Sequence, residues 1–204
     1  METATQPSGS AGTRLSQVIA RGPNFVFARE FVIERHGEEL WESALARLDP
    51  DTRRLWTGPL LVTGRYPFEA LLEMTHALSE ILGISAEEEL TTMYAFIADR
   101  SLGTVHRFFL RWSQPAFVIS HYDSLWKRFF EDGRVRVPEA EEGRALLCFE
   151  VPEIFLGWLP SACLGYSRKA VELAGAGELR QEETSREELG ADLWRLCFAL
   201  RWIE

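Results

Sequence analysis

The chain has 204 residues, 46% of them hydrophobic, with 31 acidic against 22 basic side chains and a formal net charge of −9. That length and apolar content suffice for one sizeable core, and the acidic excess excludes a phosphate-gripping nucleic-acid surface. Seven tryptophans and thirteen phenylalanines exclude a disordered chain and favour a compact globule.

Residues 1–23 read as a loosely ordered tail, Ser-, Thr-, Gly- and Ala-rich to about Gly12, with a break at Gly22-Pro23. The start carries no basic region followed by an apolar one, so no signal peptide is expected, and the expected location is the cytoplasm. Asn24 is suited to cap a helix on which Phe27, Phe31 and Val32 recur, and Gly37 stops it. A second helix carries Trp41, Ala44, Leu45 and Leu48, and Asp49-Pro50 opens a short third one. The stretch from Thr57 to Tyr66, with two glycines and a proline, reads as a loop with at most a brief strand. Pro67 starts the clearest helix of this half, with Phe68, Leu71, Leu72, Leu78 and Ile81 on one stripe and Gly83 at its close. Ser85 with Glu88 is a capping box for the next helix, which runs to about Leu102. A shorter helix is expected over Thr104 to Trp112.

Pro115 to Phe130, PAFVISHYDSLWKRFF, reads as one helix whose Phe117, Val118, Tyr122, Leu125, Trp126 and Phe129 face a core. Beyond Gly133 the period becomes alternating. Arg134 to Val137 and Arg144 to Val151 form a hairpin around an acidic turn from Pro138 to Gly143. Ala145 to Tyr166 is the most apolar window, but Glu150, Pro152, Glu153 and Pro160 argue against membrane insertion. It reads as a buried strand followed by a buried helix from Glu153 to about Ala174. Leu179 to Ser185 is a weak edge strand, and Leu193 to Ile203 is the best strand of the chain, with Trp194, Leu196, Phe198, Leu200 and Trp202 on one face. The sum is a single α+β domain over 24–204. Its helical part spans about 24–132, and its sheet part, about 133–204, is a four-stranded antiparallel sheet with one long helix inserted.

Several strings carry a resemblance. FVIERHGEELWESAL and YPFEALLEMTHALSEILGISAEEEL resemble the helical half of haem–nitric-oxide-binding (H-NOX) sensor domains. YDSLWKRFFEDGRVRV, GYSRKAVELAGAGE and LCFALRW are closer to a paralogous myxobacterial family that looks like haem-free relatives of the H-NOX and four-vinyl-reductase domains. The resemblance spans about Phe25 to Trp202 and implies an H-NOX-like fold. In the family the iron-ligating histidine ends a segment of the form FLxNLDxLH. FVISHYDSLW is the matching string, with Trp126 in the histidine's place. An indole offers an N–H donor and no lone pair for iron. His121 lies about 500° earlier around a helix, some 140° from Trp126, and points elsewhere. The family's propionate-gripping Tyr-x-Ser-x-Arg is matched by CFEVPEI, which has none of those three residues. The resemblance therefore implies a fold without H-NOX haem ligation, and no cofactor is expected.

The residues themselves offer little chemistry. Cys148, Cys163 and Cys197 have no metal-type spacing, sit in apolar segments, and read as buried reduced thiols. His36 reads as a helix-end residue, His76 as a surface one, and His106 with His121 lacks a third metal ligand. Gly165-Tyr166-Ser167 lies inside a helix rather than on a nucleophile elbow, and no phosphate loop occurs. The acidic runs at Glu87–Glu89, Glu139–Glu142 and Glu182–Glu183 read as solvated ends. The expected protein is a non-enzymatic sensor or interaction domain that binds a small apolar ligand or a partner protein. The pocket candidates are Phe117, His121, Tyr122, Trp126, Phe129, Phe149 and Trp158. Two alternatives stand beside it: an interaction module with a filled core, with homodimerisation open, and a tetrapyrrole binder with other ligation.

Overall fold

The computed structural model describes residues 18–103 and 114–203. Strand β1 (Ile19–Arg21) pairs antiparallel with β2 (Arg65–Pro67), and between them lie α1 (Gly22–His36), α2 (Glu38–Leu45) and α3 (Pro50–Thr57). Helices α4 (Phe68–Leu82) and α5 (Ala86–Gly103) follow. Further along the chain come α6 (Pro115–Ser120) and α7 (Tyr122–Phe129), then β3 (Arg134–Glu141) and β4 (Arg144–Pro152). A 3-10 turn (Glu153–Phe155) leads to α8 (Leu159–Leu173), and β5 (Leu179–Gly190) and β6 (Leu193–Trp202) close the chain. The sheet is antiparallel in the order β3-β4-β6-β5, with α8 inserted between β4 and β5. The α+β architecture read from the sequence is the one observed.

Several local expectations are corrected. Part of the expected tail belongs to the fold: Val18 and Ala20 are buried, and the Ile19 backbone N–H donates to the Asp132 carboxylate at 3.0 Å. Helix α1 starts at Gly22, so Asn24 is not its cap but an interior residue. The expected helix over Pro115 to Phe130 is two helices. The Phe117 carbonyl, which a continuous helix would offer to the His121 N–H, instead accepts from the Ser120 hydroxyl at 2.7 Å and meets His121 Nδ1 at 2.8 Å. Side chains that compete for a backbone acceptor loosen the helix at that point. The His121 N–H turns to Val118 with φ −97° and ψ 15°, and the helix is interrupted there.

The acidic turn shrinks to Glu142-Gly143, because β3 continues through Glu141 with a bulge between Arg136 and Glu139. The helix expected from Glu153 begins only at Leu159, with Pro160 in its first turn. Strand β5 runs on to Gly190, its exposed glutamates hiding a strand from apolar patterning. The helix expected over Thr104 to Trp112 lies outside the described residues.

Helix α8 reaches its place through Gly165, where a Cβ would come within 2.1 Å of the Thr91 carbonyl oxygen on α5. Only glycine allows the two helix backbones that contact. This close approach brings the apolar stripe of α8 over α5 and α7, into the space between the helical half and the sheet.

Candidate functional site

Asn24, fully buried, ties three elements there: its Nδ2 donates to the Phe129 carbonyl at 2.7 Å, and its Oδ1 accepts from the Tyr94 hydroxyl at 2.8 Å. Around this tie the space is filled with rings. Trp126 is 5% exposed and lies 4.5 Å from Phe130, 5.5 Å from Phe149 and from Phe155, and 6.5 Å from Trp158 between centroids. Phe68 stacks on Phe155 at 4.6 Å, and Tyr94 meets Trp158 edge-on at 4.9 Å. The Trp126 indole N–H donates to the Asp132 carbonyl at 3.0 Å, which fixes the ring to the turn ahead of β3.

What is left between these rings is a cavity of about 30 Å³. A water needs roughly 10–15 Å³ by the same measure, so the void takes about two or three water-sized guests at most. Its walls are α7, Phe149 of β4, Tyr94 of α5, and Trp158 with the Leu159, Ala162, Cys163, Tyr166 face of α8. Of the pocket candidates, Tyr122, Trp126, Phe129, Phe149 and Trp158 meet at this cavity, and Phe117 and His121 do not. Phe117 is 58% exposed and its ring packs on the exposed His121 at 4.4 Å, away from the buried stripe of α7. Tyr94, Phe130, Cys163 and Tyr166 were absent from the candidates. The i, i+3, i+4, i+7 spacing of Leu159, Ala162, Cys163 and Tyr166 marks the inner face of α8, but spacing alone does not say what that face opposes.

The polar groups of the cavity are uncharged. Burial pushes the Cys163 thiol and the Tyr166 hydroxyl up to about 12, and raises Tyr94 and Tyr122 well above the ordinary tyrosine value. The Tyr122 hydroxyl accepts from Ser167 at 3.3 Å and donates to the Cys163 sulfur at 3.8 Å, a small closed network. The Trp158 indole N–H opposes the rise of Tyr94 but forms no hydrogen bond of good geometry with a protein group, and is buried without one.

Of the other described histidines, one falls where expected and one does not. His76 is a surface residue. His36 is not a solvent-facing cap: its Nε2 lies 2.9 Å from the carboxylate of Glu89, which is 2% exposed. The Glu87–Glu89 run is therefore not wholly solvated. His106 lies outside the described residues. No cluster of metal-ligating side chains occurs among the described residues, and none of their helices is long and apolar enough to cross a membrane. Larger hollows exist, of about 330 and 520 Å³, but they are open surface grooves along α1 with charged rims. Cys148 and Cys197 correct the reduced-thiol expectation: they form a disulfide, because the β4–β6 register sets them directly opposite one another. Cys163 is a buried free thiol as expected.

No family model matches the sequence, and no curated protein matches it. Solved structures do match, and they define the fold class: this is the H-NOX fold. An Fe(II) unliganded H-NOX protein from K. algicida superposes with a TM-score of 0.67 at 16% identity, over 90% of this chain and 97% of that one. A point mutant of T. tengcongensis H-NOX gives 0.68 at 12% identity, over 90% and 98%. An oxygen-binding H-NOX domain related to soluble guanylate cyclases, in its oxygen complex, gives 0.63 at 11% identity, over 90% and 93%. At such identities the likeness carries the fold and not the chemistry.

A haem is the group this fold implies, and the residues present do not fit it. A cofactor-sized ligand needs a cleft of roughly 300–1,000 Å³, against a void of about 30 Å³ here. Trp126 occupies the position that the sequence resemblance assigns to the ligating histidine, and no described histidine lines the void. In the stretch matching the propionate-gripping motif, CFEVPEI, Phe149 and Val151 are fully buried apolar side chains.

Proposed function

We propose that this chain is a haem-free H-NOX-fold domain that works without enzymatic chemistry, as a signalling or interaction module acting through its surface. The observation that carries the reading is the filled centre, where Trp126 and its ring neighbours occupy the space a cofactor would need. The lack of an activated nucleophile among the described residues supports the non-enzymatic part. Ser167 lies inside α8 and is buried, and the Cys163 thiol stays protonated at neutral pH. The partner is another protein, a second copy of this chain included, in the cytoplasm. A small apolar ligand in the centre is the second reading, supported by the unpaired Trp158 N–H and the residual void. It holds for a guest of only a few atoms unless side chains move.

Haemin titration of the full chain tests the reading. The expected result is no saturating Soret band for the wild type, and none for Trp126→His, since CFEVPEI still lacks the tyrosine, serine and arginine of the propionate-gripping motif. Tight one-to-one uptake by the wild type overturns the haem-free reading. Native mass spectrometry of protein from its own host, showing a bound organic molecule in stoichiometric amount, would replace the surface reading with the ligand one.

A further inference from the structure

The disulfide stands apart from the aromatic centre and asks for its own account. Cys148 and Cys197 are the fifth of nine consecutive pairs in the β4–β6 ladder, from Arg144↔Arg201 to Pro152↔Leu193, with Cα atoms 4.1 Å apart. Their neighbours Leu147, Phe149, Leu196 and Phe198 are fully buried and point into the core. By the alternation of strands, both sulfurs lie on the opposite face of the sheet. There Cys148 is half-buried and Cys197 is 7% exposed. Arg136, exposed, is the direct partner of Cys148 across the β3–β4 ladder, where side chains stand roughly 5 Å apart at their Cβ atoms. Beside them Glu150 is held between Arg134 and Arg195.

We infer that Cys148–Cys197 is a reversible dithiol–disulfide couple, open to exchange with a small dithiol or disulfide at Cys148, with Arg136 stabilising the Cys148 thiolate. The more exposed sulfur sets the direction. A thiolate of the dithiol attacks Cys148 Sγ, forms a mixed disulfide, and releases Cys197 as a thiolate that takes a proton from solvent. The second thiolate of the reductant then attacks its own sulfur in the mixed disulfide. It closes a cyclic disulfide and releases Cys148 as a thiolate opposite Arg136. Two electrons pass to the protein, whose two sulfurs end as thiols, and the reductant leaves as its disulfide. A neighbouring guanidinium lowers a thiol's pKa and makes it the better leaving group. The four ladder pairs on either side keep the two thiols opposed after reduction, so a small disulfide can close the link again. In a reducing compartment a disulfide of this kind is transient and reports oxidation. Cys163, buried, takes no part.

The test is alkylation with mass spectrometry on the full chain. In native buffer, millimolar dithiothreitol is expected to expose two thiols per chain, at Cys148 and Cys197, with Cys163 protected and the far-ultraviolet circular dichroism unchanged. Oxidised glutathione is expected to restore the link after the dithiol is removed. In Cys197→Ser, Arg136→Gln should move the pH midpoint of Cys148 alkylation upward; the same comparison in reduced wild-type protein serves if the serine variant fails to fold. Thiols that appear only in denaturant, or reduction that unfolds the chain, overturn the couple. An unmoved midpoint in Arg136→Gln overturns the role of Arg136.

Discussion

Truncating Trp126 to alanine puts a number on the filled centre. The indole is 5% exposed, touches rings from α7, β4 and the start of α8, and makes one hydrogen bond to the Asp132 carbonyl. Its removal leaves a hole of roughly 150 Å³, comparable to engineered apolar cavities that stay dry and take up benzene. At about 24 cal/mol per Å³ the hole alone costs about 3.6 kcal/mol before any collapse, and the lost transfer free energy of the indole adds to it, so the loss is about 4 kcal/mol, inside the range for large aromatic truncations. For a chain of this length that corresponds to a fall in Tm of about 10 °C. Urea denaturation followed by circular dichroism gives the free energy, and a thermal melt gives Tm. Indole added to Trp126→Ala should recover part of the Tm by refilling the hole, while the wild type should show no such gain. A loss under about 1 kcal/mol would mean that the side chain is exposed. An equal gain from indole in the wild type would mean that the centre is already open, and the reasoning would fail on either result.

Two further outcomes follow from the same packing. Gly165→Ala should destabilise by about 1–3 kcal/mol, because its methyl meets the α5 backbone at Thr91, which has no flexible end to yield; a neutral result in a urea melt would contradict the close approach. Glu150 is covered by the guanidinium groups of Arg195 and Arg134 rather than sunk in apolar core, and these hold its carboxyl below the ordinary value of 4.5. A depressed carboxyl contributes stability that is present above its unfolded pKa and lost as pH falls through the folded one. Tm from neutral pH down to about 3 should therefore fall less steeply in Glu150→Gln than in the wild type, and parallel curves would show that the group contributes nothing to acid lability.

Composition and periodicity alone carry this chain a long way. The switch from helical to alternating spacing at Gly133, the clean alternation of Leu193 to Trp202, and the stripes of α4 and α8 identify the α+β class and the sheet with its inserted helix, because each is a local pattern that burial on one face imposes. That Tyr122, Trp126, Phe129, Phe149 and Trp158 face inward was legible for the same reason. The break at His121 was not, since it depends on two side chains choosing the Phe117 carbonyl over the backbone. Strand β5 was only half legible, because an exposed edge carries no apolar face to betray it. Asn24 looked like a cap, and only its burial beneath Tyr94 and Phe129 makes it a tie. The pairing of Cys148 with Cys197 required the β4–β6 register, a contact 49 residues apart in sequence that spacing cannot supply. The size of the void belongs wholly to the tertiary structure, since volume depends on how side chains from α5, α7, α8 and β4 interdigitate. The sequence by itself placed an indole where the resemblance expects an imidazole. The tertiary structure decided what is there instead, because only packing shows that Trp126 and its neighbours close the space.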